Sequence, residues 1–323
     1  RMAEKIVLEY FLFILGFGLL IYGADLLVNG ASAIGSKLNI PDTVIGLTIV
    51  ALGTSLPEVV INVFASVRGD TSLAISNVLG SNMMNILLIV GTASIIYPLK
   101  ITRSTTYRDI PVNFFAVILL ALLINDAYFG FGEMSRLGPI EGLFFLLLII
   151  IYIVVSLRKS KIENEPDPRS IGTPFMKSLL LLLLGVAMMV IGGRWIVNGT
   201  IKVSELLGIS SSEVGLVVVA TATSLPELAT SVIAAIKKNP GIAVGNAVGS
   251  CIFNIFLVLG LSSVITPLPF DLTSTYDMLM VLLASMLIFI FVFTGRGRQI
   301  ERWEGILMIV IYFGYMVYRL GFN

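Results

Sequence analysis

The sequence predicts an all-α integral membrane protein of ten transmembrane helices, arranged as two inverted-topology five-helix repeats. Three observations carry that expectation. The chain of 323 residues is 57% hydrophobic and only 13% charged, against roughly 25% charged in an ordinary soluble domain. Apolar stretches of membrane-spanning length recur along it, separated by short polar gaps. A block of 46 residues also recurs, without a gap, 169 positions downstream.

A span needs about 20 mostly apolar residues. In chain order the candidates are 7–29, 43–67, 73–98, 109–128, 138–157, 175–197, 212–236, 242–267, 276–294 and 304–320. The first carries Asp25 and Asn29 where a cleavable signal ends in small residues, so it reads as a retained span. The second contains "GTSLPE" (53–58) and the third "NVLGSNMMN" (77–85). The fourth and fifth are plainly apolar, and the fifth opens on Glu141 and Gly142. Before the sixth stands "RKSKIENEPDPRSIGTP" (158–174), whose charges and three prolines have the composition of a flexible linker. The seventh holds "ATSLPE" (222–227) and the eighth "NAVGSCIFN" (246–254), while the tenth opens on Glu304 and Gly305.

Residues 46–91 aligned on 215–260 give 19 identities in 46 columns. The same offset carries "VNG" at 28–30 onto "VNG" at 197–199, and after a small gap Glu141 and Gly142 match Glu304 and Gly305. This divides the chain into a first five-helix repeat, 1–157, a cytoplasmic linker, 158–174, and a second repeat, 175–323. Five is odd, so the second unit enters the membrane upside down, as in many secondary transporters. The alternate loops containing Lys37, Lys100, Arg158, Lys237 and Arg296 hold 13 of the 21 Lys and Arg. By the positive-inside rule these loops are cytoplasmic, so both termini are expected outside the cell.

Composition also excludes. There is no His, and Cys251 is the only cysteine, so an intrachain disulfide is impossible and zinc, haem and His-based catalysis are disfavoured. A formal net charge of +1 gives no reason to expect nucleic acid. The expectation is a membrane protein that is not an enzyme, needs no cofactor and requires no protein partner beyond the lipid bilayer.

Within the spans, the two "TSLPE" segments concentrate the chemistry. Pro57 has no N–H and its ring crowds the carbonyl four residues back, so it loosens the helix around Gly53 and Thr54 and frees backbone oxygens. Such oxygens are tolerated in a membrane only inside protein or along a wet cavity. Glu58 sits beside them, and an ionised side chain at mid-span costs about 2.5–3.5 kcal/mol on insertion scales. No matching intramembrane cation is evident in the second or seventh span, so a bound ion is the expected partner. Pro226 and Glu227 supply the same kit again. Asn77, Ser81 and Asn85 in the third span, and Asn246, Ser250 and Asn254 in the eighth, add smaller oxygen donors. Two carboxylates balance one Ca2+, a hard cation that takes six to eight oxygens. Taken singly, a serine or asparagine in a span is as often helix-helix glue. Asp25, Asn29, Arg194 and Asn198 read as packing or interfacial groups.

"GTSLPE" followed by "GSNMMN", and "TSLPE" followed by "GSCIFN", resemble the two alpha-repeats of the cation/calcium exchanger superfamily, with the nearest likeness to its prokaryotic sodium/calcium exchanger branch. The resemblance spans most of the chain. It implies ten helices, four cation sites in a diamond, and alternating access by sliding of the first and sixth helices. By motif position it implies Glu58 and Glu227, with the backbone oxygens of Thr54 and Thr223, as Ca2+ ligands. One Na+ site would use Ala51, Thr54, Ser55, Glu58 and Ser81, and its mate Ala220, Thr223, Ser224, Glu227 and Ser250. Asn85 and Asn254 would line the centre. Three Na+ for one Ca2+ would move one net charge per cycle. The second motif departs from the pattern in having Ala222 where glycine is usual. Asn254, in place of the acid associated with potassium binding, implies potassium independence. The proton/calcium branch has "GN" before its second-helix glutamate, so Na+ is the expected counter-ion and H+ the alternative, because a buried glutamate also takes a proton. A channel is a third possibility; channels build filters around a symmetry axis, whereas this chain carries two inverted site-bearing helices. Without His or paired intramembrane aspartates, an intramembrane protease is remote.

Overall fold

The computed structural model describes residues 2–124, 135–158, 174–206, 221–270, 272–294 and 297–321. The expected linker lies outside the described residues except for its two ends, as does the start of the expected seventh span. The helices, in chain order, are α1 (Met2–Leu38), α2 (Asp42–Thr54), α3 (Leu56–Arg68), α4 (Thr71–Ile96), α5 (Thr105–Ile124), α6 (Pro139–Arg158), α7 (Phe175–Leu206), α8 (Leu225–Ile236), α9 (Pro240–Ile265), α10 (Leu272–Phe291) and α11 (Arg302–Gly321).

Seven of these are long and apolar enough to cross a membrane, or eight if the bent pair α2 and α3 is one span. Expected spans and helices differ in informative ways. α1 runs 37 residues, well beyond 7–29, because nothing between Asn29 and Pro41 breaks a helix although polar residues end the apolar run. At about 1.5 Å per residue it is longer than the ~30 Å hydrocarbon layer. α8 has 12 described residues, since the first part of its expected span is not among those described. α11 has the length but is diluted by Tyr312, Gly314, Tyr315 and Tyr318, with Arg302, Glu304 and Arg319 at its ends.

Burial sorts the helices into layers. In α4 and α9, 78% of the apolar window is buried, against 33% in α1 and 28% in α6 and α7. α4 and α9 therefore form the interior, and the others present apolar side chains such as Ile14, Ile140, Met176 and Val310 outward. An outer surface of that kind suits lipid.

The contacts come in pairs that obey the sequence offset. α1 packs along α7 through glycines: a Cβ on Gly16 would stand 2.8 Å from the Gly192 carbonyl, and one on Gly23 2.8 Å from that of Gly185. Gly185 and Gly192 lie 169 residues after Gly16 and Gly23, so each glycine meets the equivalent of the other. Backbone contact this close admits no side chain at any of the four.

Two short antiparallel ladders do the same. β1 (Leu99–Lys100) pairs with β4 (Gln299–Ile300), and β2 (Arg136–Leu137) pairs with β3 (Leu268–Pro269). β3 is the equivalent of β1 at the 169 offset, so each ladder joins one half to the other. The repeated Glu-Gly pair also acquires a purpose. Glu141 Oε2 accepts from Gly138 N at 2.9 Å and Glu304 Oε2 from Glu301 N at 2.7 Å, which caps the first turns of α6 and α11. The glycines after them admit the backbones of Gly260 and Gly91.

Asp25 and Asn29, expected as packing or interfacial groups, belong to a partly exposed ionic knot. Lys237 Nζ, just past α8, lies 2.6 Å from Asp25 Oδ1 and 2.7 Å from Asn29 Oδ1. It ties α1 to the end of α8.

Candidate cation site

The break between α2 and α3 falls at Ser55, whose φ and ψ of −83° and 5° leave the helical region, and the two helices meet at 45°. Pro57, at the start of α3, cannot donate to the Gly53 carbonyl, which is why the chain bends here. Ser224 holds almost the same conformation, −88° and 3°, ahead of Pro226 and α8. Each break sets a glutamate in the first turn of the helix that follows.

Glu58 and Glu227 are both fully buried, and among the described residues neither is in an ion pair. Each is held by the serine of the opposite motif. Ser55 Oγ lies 3.0 Å from Glu227 Oε1 and 3.0 Å from Ser250 Oγ, which itself lies 3.5 Å from Glu227 Oε1. Ser224 Oγ donates to Glu58 Oε1 at 3.4 Å. The second oxygen of each carboxylate has no partner. Nor have Ser81 Oγ, Asn254 Oδ1 and both amide atoms of Asn85. Buried polar atoms are nearly always satisfied, and six of the ten exceptions among the described residues belong to the two carboxylates and to Ser81, Asn85 and Asn254, the other four to Ser66, Asn113, Ser156 and Ser262; that concentration on the two motifs marks them as built for something else. At Asn85 and Asn254 the helices widen into π-helical stretches, Met84–Val90 and Asn254–Leu259, a distortion common at functional sites.

Of the residues expected from the sequence, Thr54, Ser55, Glu58, Ser81, Asn85, Thr223, Ser224, Glu227, Ser250 and Asn254 are all buried in this interior. Ala220 lies outside the described residues. Ala51 is buried, but its carbonyl already accepts from Ser55 N at 3.0 Å and Thr54 Oγ1 at 3.3 Å. Asn77 and Asn246 have their amides committed elsewhere. Thr54 Oγ1 donates to Asn246 Oδ1 at 3.0 Å, and Asn246 Nδ2 to Ser231 Oγ at 3.0 Å and the Glu227 carbonyl at 3.1 Å. In the mirror chain, Thr223 Oγ1 donates to Asn77 Oδ1 at 3.2 Å, and Asn77 Nδ2 to Asn62 Oδ1 at 2.7 Å. These two relays hold the threonine hydroxyls, Thr223 beside Glu58 and Thr54 beside Glu227. Every donor left over except one amide NH2 is an oxygen, and carboxylate, hydroxyl and amide oxygens suit hard cations such as Na+ or Ca2+.

The family described as sodium/calcium exchanger protein matches residues 8–158 and 177–321, which is most of the chain and falls into two blocks. The chain belongs to the sodium/calcium exchanger family. Among its relatives, the putative antiporter CaxA of Alkalimonas amylolytica is 35% identical, covering 94% of this chain and 95% of that protein. The sodium/calcium exchanger MaX1 of Methanosarcina acetivorans is 32% identical over 97% of this chain and 98% of its own. The structure matches that of the sodium-calcium exchanger NCX_Mj soaked with 10 mM Na+ and zero Ca2+, with a TM-score of 0.84 and 31% identity, over 97% of this chain and 99% of that one. As a member of the family, this exchanger is a multi-pass membrane ion transporter and its exchange chemistry is that of cations.

Reading the sequence missed three residues of the exchanger's interior: Asn62, Ser231 and Asn82, all fully buried. A signal for two of them was present. Asn62 stands four residues after Glu58 and Ser231 four after Glu227, the spacing that shares a helix face. Asn82 gave none, because its equivalent in the second half is Cys251.

Proposed function

We propose that this exchanger is a Na+/Ca2+ antiporter, potassium-independent and electrogenic, working by alternating access at the buried cluster. The observation that carries the reading is the pair of fully buried carboxylates, in no ion pair among the described residues, each with one unpartnered oxygen, together with the buried unpartnered groups of Ser81, Asn85 and Asn254. In this reading Ca2+ is held by Glu58 and Glu227 with the backbone oxygens of Thr54 and Thr223. Na+ adds Ser55, Ser81 and Ala51 on one side and Ser224, Ser250 and Ala220 on the other, while Asn85 and Asn254 line the centre. Neither ion can share the carboxylates with the other, so occupancy by one expels the other, and the empty site, with two unpaired charges, disfavours crossing alone.

The architecture proposed is ten spans in two inverted repeats, 1–157 and 175–323, joined by a cytoplasmic linker at 158–174, with both termini outside. Contacts that pair equivalent residues at the 169 offset support it, as do the two family-matched blocks. The α1/α7 pair, touching through bare backbone, is the element suited to slide.

Reconstituted vesicles test the counter-ion. An outward Na+ gradient is expected to drive Ca2+ uptake, and an inside-negative potential to slow that uptake, because three Na+ leaving for one Ca2+ entering carry one net positive charge outward. Uptake that ignores Na+ and follows a pH gradient would assign H+ instead, the alternative that two buried carboxylates also permit.

A further inference from the structure

Asn82 lies in α4 between Ser81 and Asn85, and its amide bridges two groups of α9. Nδ2 donates to the Cys251 carbonyl at 3.4 Å, and Oδ1 accepts from Asn254 Nδ2 at 3.0 Å. Chemistry fixes the order of these bonds. A backbone carbonyl can only accept, so the end of the Asn82 amide that faces Cys251 must be the NH2. Oδ1 then faces Asn254, which must present its own NH2 in turn. Asn254 Oδ1 is left on the far side, buried and without a partner.

We propose that Asn82 is a positioning residue that fixes the Asn254 amide with its oxygen, and not its nitrogen, available to the transported cation. The inference rests on the reading that Asn254 lines the cation site. The other half of the chain shows the arrangement without such a residue. At the position equivalent to Asn82 stands Cys251, whose thiol makes the corresponding backbone contact, 3.7 Å to the Asn82 carbonyl. The same thiol stands beside Asn85, the equivalent of Asn254, but a thiol is a weak donor and a weak acceptor, so it does not dictate which end of the Asn85 amide faces it. Neither amide atom of Asn85 completes a hydrogen bond. An amide oxygen attracts a cation and an amide NH2 repels one. Asn254 is therefore preset as a ligand by an amide, whereas Asn85 has beside it a thiol that accepts either end of its amide, and the two central asparagines are held unequally despite the repeat.

Ca2+ uptake by the full chain in vesicles, read as half-saturating concentration and maximal rate, tests this with Asn82→Ala, Asn254→Ala and the double variant. Releasing one immobilised side chain is expected to raise half-saturation about three- to tenfold, with the maximal rate little changed. The double variant is expected to be no worse than Asn254→Ala alone, because Asn82 acts through Asn254. If Asn82→Ala gives no monodisperse protein, Asn82→Ser, which cannot bridge both partners, carries the same expectation. Unchanged half-saturation in the Asn82 variant, or additive losses in the double, overturns the positioning role. Unchanged half-saturation in Asn254→Ala overturns the underlying reading of the site, a result separable from the first because it does not involve Asn82.

Discussion

Replacing Glu227 with glutamine separates what the carboxylate does for the fold from what it does for the ion. The substitution keeps the side chain's shape. An amide oxygen still receives the Ser55 and Ser250 hydroxyls that approach Oε1 at 3.0 Å and 3.5 Å, while an NH2 takes the place of the unpartnered Oε2. Breaking a buried charge pair by removing one member costs about 3–5 kcal/mol, and each ~1.4 kcal/mol is a factor of ten. Ca2+ affinity is therefore expected to fall by about 10²–10⁴-fold, in Glu58→Gln as in Glu227→Gln. Stability without ions is expected to move the other way or not at all, since the variant no longer buries a second uncompensated charge. The assay is thermal unfolding of the detergent-solubilised protein, with and without Ca2+, beside Ca2+ flux. Wild-type protein at 100 times its Kd gains about 2.7 kcal/mol from the ion, and the variants are expected to lose that increment while unfolding at or above the wild-type temperature when ion-free. Retained flux, or an ion-free melting temperature several degrees lower, would refute the argument, because the glutamates would then be structural.

Two further expectations concern the helices around the site. Gly185→Val puts its Cβ 2.6 Å from the Gly23 carbonyl and 2.7 Å from Leu27 N; overpacking of this kind costs about 1–3 kcal/mol, so a lower melting temperature and depressed turnover are expected, and wild-type behaviour in both would show that α1 and α7 do not meet here. The Lys237–Asp25 pair is partly exposed, with 25% and 38% of the side chains accessible, so Lys237→Ala is expected to cost no more than about 1 kcal/mol, and less in an Asp25→Asn background, where only the bonds to Asn29 Oδ1 and the Asp25 carbonyl remain to be lost. The tie has no mirror image, because the equivalent positions carry Arg68 and Arg194; a loss independent of Asp25 in the double-mutant cycle would refute the pairing.

How much of this was legible depended on whether a residue's neighbours were local. Glu58 and Glu227 stood out because a charge in an apolar run demands a partner, and Pro57 and Pro226 because the missing N–H acts within one turn. The ends of α1 were not legible, since helix continuation past Asn29 depends on the absence of breakers rather than on hydropathy. Asn77 and Asn246 looked like ligands by spacing; their amides turned out to hold Thr223 and Thr54, partners 146 and 192 residues away in sequence.

The sequence by itself determined the membrane class, the two related halves, the helix breaks and the two carboxylates, because hydropathy, repetition and proline geometry are properties of short stretches. Only the tertiary structure decided which serine holds which glutamate, which amides are spent on anchoring, and which oxygens remain unpartnered. Those outcomes depend on distances between side chains brought together from opposite halves. Asn82 and Cys251 make the point: they occupy equivalent columns of the repeat, yet one bonds its neighbouring asparagine through an amide and the other sets only a thiol beside its neighbour.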